Sequence, residues 1–146
     1  MIDESRIGIY DYLYNLLYGV VSNNVYQMRE PQELTQSDTT DGFIVIRVGE
    51  INDASEFTGE TYAWARCYIE VFVPPMSRGR LNHAKYSAFE SAINSVIQSE
   101  AQRSDGTYSI DERNVLSVDD MESSNANNSY HTFIKSFLVI TDNREN

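Results

Sequence analysis

The sequence predicts an α+β protein, an antiparallel β-sheet of about four to five strands with two helices packed on one face. Three observations carry that prediction. Glu60 to Pro75 is the longest strongly alternating segment of the chain and reads as a central strand. Two amphipathic stretches, one near the N-terminus and one from about residue 81, repeat their apolar residues at helical spacing. The order helix, strands, helix, strands suits an antiparallel sheet with its helices on one side.

Read with period two, the central strand has two unlike faces. Ala63, Ala65, Cys67, Ile69, Val71 and Val73 form a small-to-branched face that suits a packed core. Tyr62, Trp64, Arg66, Tyr68, Glu70 and Phe72 form an aromatic face with interleaved charge. Such a row of rings is a patch that soluble monomers usually keep covered. Pro74-Pro75 then ends the strand, because proline has no N–H for the ladder.

The remaining elements follow in order. Asp3 is placed to cap a first helix in which Ile7, Tyr10, Leu13, Tyr14, Leu17, Val20 and Val21 recur, and Ser22-Asn23-Asn24 stops it. Tyrosines at 10, 12, 14 and 18 spread around more than one side of that helix, and are expected to pack on their own sheet or lie flat on the surface, the alternative being a helix that touches two surfaces. Val25 to Arg29 reads as a short strand. The polar stretch from Pro31 to Gly42 reads as a mobile loop or the tip of a long hairpin. Asp41-Gly42 turns into Phe43 to Val48, with Ile44, Ile46 and Val48 on one face and Phe43, Val45 and Arg47 on the other. Asn52 to Gly59 is a second polar loop.

Beyond the central strand, a second helix is expected from about Leu81 or Asn82 to Gln102. Its stripe is Ala84, Ala88, Phe89, Ala92, Ile93, Val96, Ile97 and Ala101, whose alanines suit close seating on the sheet. Tyr108 to Ile110 and Val115 to Val118 read as strand segments, and the acidic, then Asn/Ser-rich, run from Asp119 to Ser129 reads as a loop. Tyr130 to Thr141 reads as the last strand. Ile134, Leu138 and Ile140 are assigned to the helix side, and Phe133, Lys135, Phe137 and Val139 to the opposite side.

On this reading the face opposite the helices gathers Tyr62, Trp64, Arg66, Tyr68, Arg47, Phe133, Lys135 and Phe137, a set expected to form a subunit interface. Aromatic residues and arginine are what interface cores are enriched in. The alternative is that a long hairpin or the N-terminal segment folds over that face within one chain.

Bulk properties narrow the function classes. A chain of 146 residues is the size of a single domain, 1–146. A single cysteine, Cys67, rules out an intrachain disulfide. The N-terminal apolar run is short, lacks a basic leader and is broken by Asp11 and Asn15, so a cytosolic chain with no membrane span is expected. Net charge is −11, which argues against tight sequence-independent gripping of nucleic acid. Of 11 basic residues nine are arginine, a bias that suits planar ion pairs between protein surfaces.

Catalytic chemistry finds no footing. The two histidines, His83 and His131, sit in no nucleophile–base pattern, and no phosphate-cradling glycine loop or zinc spacing occurs. Asp119-Asp120-x-Glu122 reads as a solvated acidic loop rather than a metal site, and Arg78-Gly79-Arg80 as a stretch that pairs with a neighbouring subunit or holds solvent rather than contacting phosphate. No enzyme, cofactor or metal is expected.

The order of elements resembles the tail terminator, or tail-completion, proteins of tailed bacteriophages and related neck ring proteins. The residues that carry the resemblance are the first helix, Gly42-Phe-Ile-Val-Ile-Arg-Val48, Tyr62-x-Trp-x-Arg-x-Tyr-x-Glu-x-Phe-x-Val73, the helix with Ala84, Ala88 and Ala92, and Tyr130-His-Thr-Phe-x-x-Phe-x-Val-x-Thr141. The resemblance spans most of the chain and contains no signature motif. It implies a structural virion protein of head–tail connector type, assembled in the host cytoplasm as a homo-oligomeric ring of six- or twelve-fold symmetry. Such a ring stacks on neighbouring neck rings or tail-tube proteins, and DNA passes through its channel without specific binding. The alternative is a bacterial adaptor or protein-binding module that uses the same aromatic and arginine face for one partner.

Overall fold

A computed structural model describes residues 4–53, 62–101, 108–125 and 128–142, with side chains described at most of these positions. The elements in chain order are α1 (Glu4–Leu17), β1 (Val25–Gln27), α2 (Gln36–Asp41), β2 (Phe43–Asp53), β3 (Tyr62–Val73), a 3-10 turn at Ser77–Gly79, α3 (His83–Ala101), β4 (Tyr108–Asn125) and β5 (Asn128–Asp142). The five strands form one mixed sheet in the order β1-β2-β3-β5-β4. It is antiparallel throughout except where β1 runs parallel to β2.

The protein is α+β, as expected, and β3 is the central strand. Its small-residue face is the core. Ala65, Cys67, Ile69, Val71 and Val73 are buried beneath Ile9, Tyr10, Leu13 and Leu17 of α1 and Phe89, Ile93 and Ile97 of α3. Neighbouring strands add Ile44, Ile46 and Val48 to the same layer. The helices are seated by large side chains rather than by alanines: Ala84 and Ala88 of α3 are exposed. Ile7, expected in the core stripe of α1, is 47% exposed. Asp3, the expected cap, lies outside the described residues.

The pairing of β5 corrects the assigned faces of the last strand. Val71 lies opposite Phe133, Ile69 opposite Lys135 and Cys67 opposite Phe137, and directly opposed residues share a face of the sheet. Phe133, Lys135 and Phe137 therefore point toward the helices. Ile134, Leu138 and Ile140 are half-buried and lie in register with Glu70, Arg66 and Trp64 of the other face.

Two further differences have physical causes. β1 is parallel to β2, and a parallel pair needs a crossover where a hairpin would not do. The segment 28–42 makes that crossover and carries α2, a third helix begun by a capping box: the Thr35 side chain accepts from the Asp38 N–H, and the Asp38 carboxylate accepts from the Thr35 N–H. Secondly, the segment 119–129, read as a loop, is strand at 119–125 and at 128–129. β4 and β5 pair along nearly their whole length, with register shifts between Asp111 and Leu116 and between Asp120 and Ser123.

Candidate interaction face

The face of the sheet turned away from α1 and α3 has two halves. One half is closed by the chain itself. Phe43, Val45, Phe72 and Tyr130 form a second buried cluster, with Tyr26 of β1 and Leu34 of the crossover packed on it. Phe43 and Phe72 stack with centroids 4.3 Å apart, and Tyr130 meets both edge-on.

The crossover is held down by a buried carboxylate. Asp38 is fully buried and accepts a hydrogen bond from the Tyr26 hydroxyl, at 2.8 and 2.9 Å from its two oxygens. Burial and that bond push the Tyr26 hydroxyl up to about 12. The alternative of in-chain covering is thus realised over this half, by a crossover rather than by a hairpin.

The other half carries the sequence-predicted residues of β2 and β3. Arg47 stands opposite Tyr68, Arg66 opposite Leu138, and Trp64 between Asn52 and Ile140. Tyr68 is 40% exposed, while Trp64 and Arg66 are half-buried. Arg47 donates from Nη1 to Oε1 of Glu70 at 2.7 Å, yet its side chain remains 38% exposed. Arg66 donates to Ser136 Oγ at 3.3 Å. These contacts fix the direction of both guanidinium groups above the sheet.

Of the eight residues predicted for this face, the structure brings together Arg47, Trp64, Arg66 and Tyr68. Phe133 and Phe137 belong to the core beneath the helices, both fully buried. Lys135 is buried there too, donating to Glu90 of α3 and Ser117 of β4. Tyr62 begins β3, and its side chain lies outside the described residues. Sequence reading missed Asp38, although the Thr35-x-x-Asp38 pattern is a capping-box signal open to inspection. It also missed the half-buried apolar row of Ile134, Leu138 and Ile140, because Lys135 gave their neighbours the look of a solvent face.

His83 opens α3 and is exposed, whereas His131 is half-buried on β5. Burial pushes the Cys67 thiol up to about 12, which leaves it protonated and a weak nucleophile at neutral pH. Arg80 closes the 3-10 turn by donating to the Ser77 carbonyl and hydroxyl, at 3.3 and 3.2 Å. Among the described residues no group of three or more His, Cys, Asp or Glu side chains is placed to hold a metal ion. No described helix is long and apolar enough to cross a membrane.

No family model matches the chain, and no curated protein matches it in sequence.

Proposed function

We propose that this chain is a structural subunit of a homo-oligomeric ring at the neck–tail junction of a tailed bacteriophage, of tail terminator or head–tail connector type. The observation that carries the reading is the open half of the sheet. Arg47, Trp64, Arg66 and Tyr68 stand there beside Ile134, Leu138 and Ile140, on the side away from α1 and α3. Aromatic rings around directed guanidinium groups are the composition of an interface core. The resemblance in element order supplies the biological setting, with the ring as part of the virion and its neighbours the adjoining ring or tail-tube proteins. A net charge of −11 suits a channel that repels DNA and lets it slide.

Negative-stain microscopy of the purified chain tests this directly. Closed rings of uniform copy number are expected. Single particles of chain size at every concentration would count against the reading and favour an adaptor with a foreign partner.

A further inference from the structure

The chain from Met28 to Gly42 covers one half of the far sheet face with little of its own to hold it there. Between Met28 and Asp41 a single residue is buried, and it is an acid, Asp38. Leu34 is the side chain of the segment that packs on the Phe43, Val45, Phe72 and Tyr130 cluster, and it is partly buried. Two other bonds to the rest of the fold, from Asn24 Nδ2 to Ser37 Oγ at 2.9 Å and from Lys85 Nζ to the Thr40 carbonyl at 3.1 Å, lie at the surface, where water competes for them.

Seating the segment also has costs. Asp38 is a fully buried carboxylate, and both of its donors, the Tyr26 hydroxyl and the Thr35 N–H, are neutral. The Tyr130 hydroxyl is buried with no hydrogen-bond partner, and burial, then the charge of Asp38, push it up from its ordinary value. Met28 sits at φ +77, in the left-handed region that residues with a side chain seldom occupy. At the other end Gly42 turns at φ +86. A segment with few buried apolar contacts, polar groups that water would serve better and a turning point at each end has the marks of a unit of low local stability.

We propose that residues 28–42 form a strap that opens and closes as a unit over the Phe43, Phe72 and Tyr130 rings, latched by Asp38 on Tyr26 and pivoting at Met28 and Gly42. The two capping-box bonds between Thr35 and Asp38 lie within the strap and travel with it. The bond from Tyr26, which stays on β1, is the buried one that opening breaks. Opening hydrates the Asp38 carboxylate and the Tyr130 hydroxyl, and it joins the ring cluster to the open half of the same sheet face. The strap thus sets how much of that face is available for contact. The inference does not depend on the ring reading.

Thiol labelling of the full chain tests it, because the chain carries its own control. Cys67 is fully buried on the helix side of β3, where global unfolding is needed to reach it. Val45 is fully buried in the cluster that the strap covers, so Val45→Cys places a second thiol there. With an aromatic disulfide reagent in native buffer, the new thiol is expected to react at least about 100-fold faster than Cys67, since local opening needs less free energy than global unfolding. Tyr26→Phe keeps the ring and removes the latch, and is expected to speed the new thiol about 10-fold with Cys67 unchanged. Tyr130→Phe removes the hydroxyl that closing leaves unpartnered and is expected to slow it. Equal rates at the two thiols, a Tyr26→Phe effect shared equally by both, or faster labelling in Tyr130→Phe would overturn the proposal. Hydrogen exchange of the wild type needs no substitution in the cluster: the Thr39 and Gly42 amides, bonded to the Thr35 and Asp38 carbonyls, are expected to exchange before those of β3. Exchange in step with β3 would overturn it as well.

Discussion

Lys135 of β5 and Glu90 of α3 form an ion pair of 3.0 Å across the seam between sheet and helix, with the lysine side chain 6% exposed and the glutamate 33%. The ammonium also donates to Ser117 Oγ at 2.8 Å and lies 5.8 Å from the Phe133 ring centroid. A charged residue is thereby accommodated within the core layer. The two partners are not equivalent. Removing the carboxylate leaves a buried cation, whereas replacing the lysine by an apolar chain of similar length leaves a carboxylate that water reaches. Glu90→Ala is expected to cost about 2–4 kcal/mol and Lys135→Met less than about 1.5 kcal/mol, measured by urea unfolding.

Gly42 ends α2 and turns the chain into β2 with φ +86, a conformation that side chains rarely adopt. A Cβ there would collide with the Phe72 carbonyl oxygen and press on Pro74 and Phe89. Backbone strain and overpacking then add, so Gly42→Ala is expected to destabilise by about 3 kcal/mol or more. Gly79 also has a positive φ, +73, but a Cβ there meets nothing within 4 Å. Gly79→Ala is expected to cost only about 1 kcal/mol, so the difference between the two melts isolates the close approach at Gly42.

Alkaline pH should weaken the fold in two stages. The Cys67 thiol, ordinarily near 9.0, is pushed up to about 12 by burial, and the Tyr26 hydroxyl, ordinarily near 10.0, to about 12 by burial and its bond to Asp38. The folded state therefore holds protons that the unfolded chain has released. Stability is complete below the unfolded values and declines as pH climbs through this window. In Cys67→Ala the decline is expected to begin near 10 instead of near 9, read from chemical denaturation at successive pH values. An unchanged onset would show that the thiol contributes nothing.

Folding and assembly should respond to different positions. Phe133 is fully buried, and Phe133→Ala is expected to cost about 3–5 kcal/mol of stability. Trp64→Ala and Arg66→Glu alter the open face and are expected to lower assembly more than the melting temperature. Variants that stayed assembled but melted early would place Trp64 and Arg66 in the monomer core.

Much of the architecture was legible because β3 alternates without a break. Its small-residue side predicted the core and its aromatic side the second face, and Cys67, Ile69 and Val71 hold those places. The last strand was not legible in the same way. Both of its sides are apolar, and Lys135 tipped the choice toward the wrong one because its partner Glu90 lies 45 residues away on a helix. Segment 119–125 read as a loop from its acids and small polar residues, but backbone pairing with β5 does not require apolar side chains. Leu34 and Asp38 gave little sign of covering the face, since a crossover seat depends on β1 running parallel to β2. Of the predicted interface, Arg47, Trp64, Arg66 and Tyr68 stand together on one face, and Phe133, Lys135 and Phe137 of β5 lie in the core.

Self-association through the open sheet half is the central claim, and the solution mass of the purified chain tests it most directly. Light scattering across concentration and salt is expected to give a closed species of constant size, a fixed multiple of 16.7 kDa. Its formation should be driven mainly by ring burial and depend only weakly on salt. A mass of one chain throughout, with Tyr68 as exposed as in the single subunit, would contradict it.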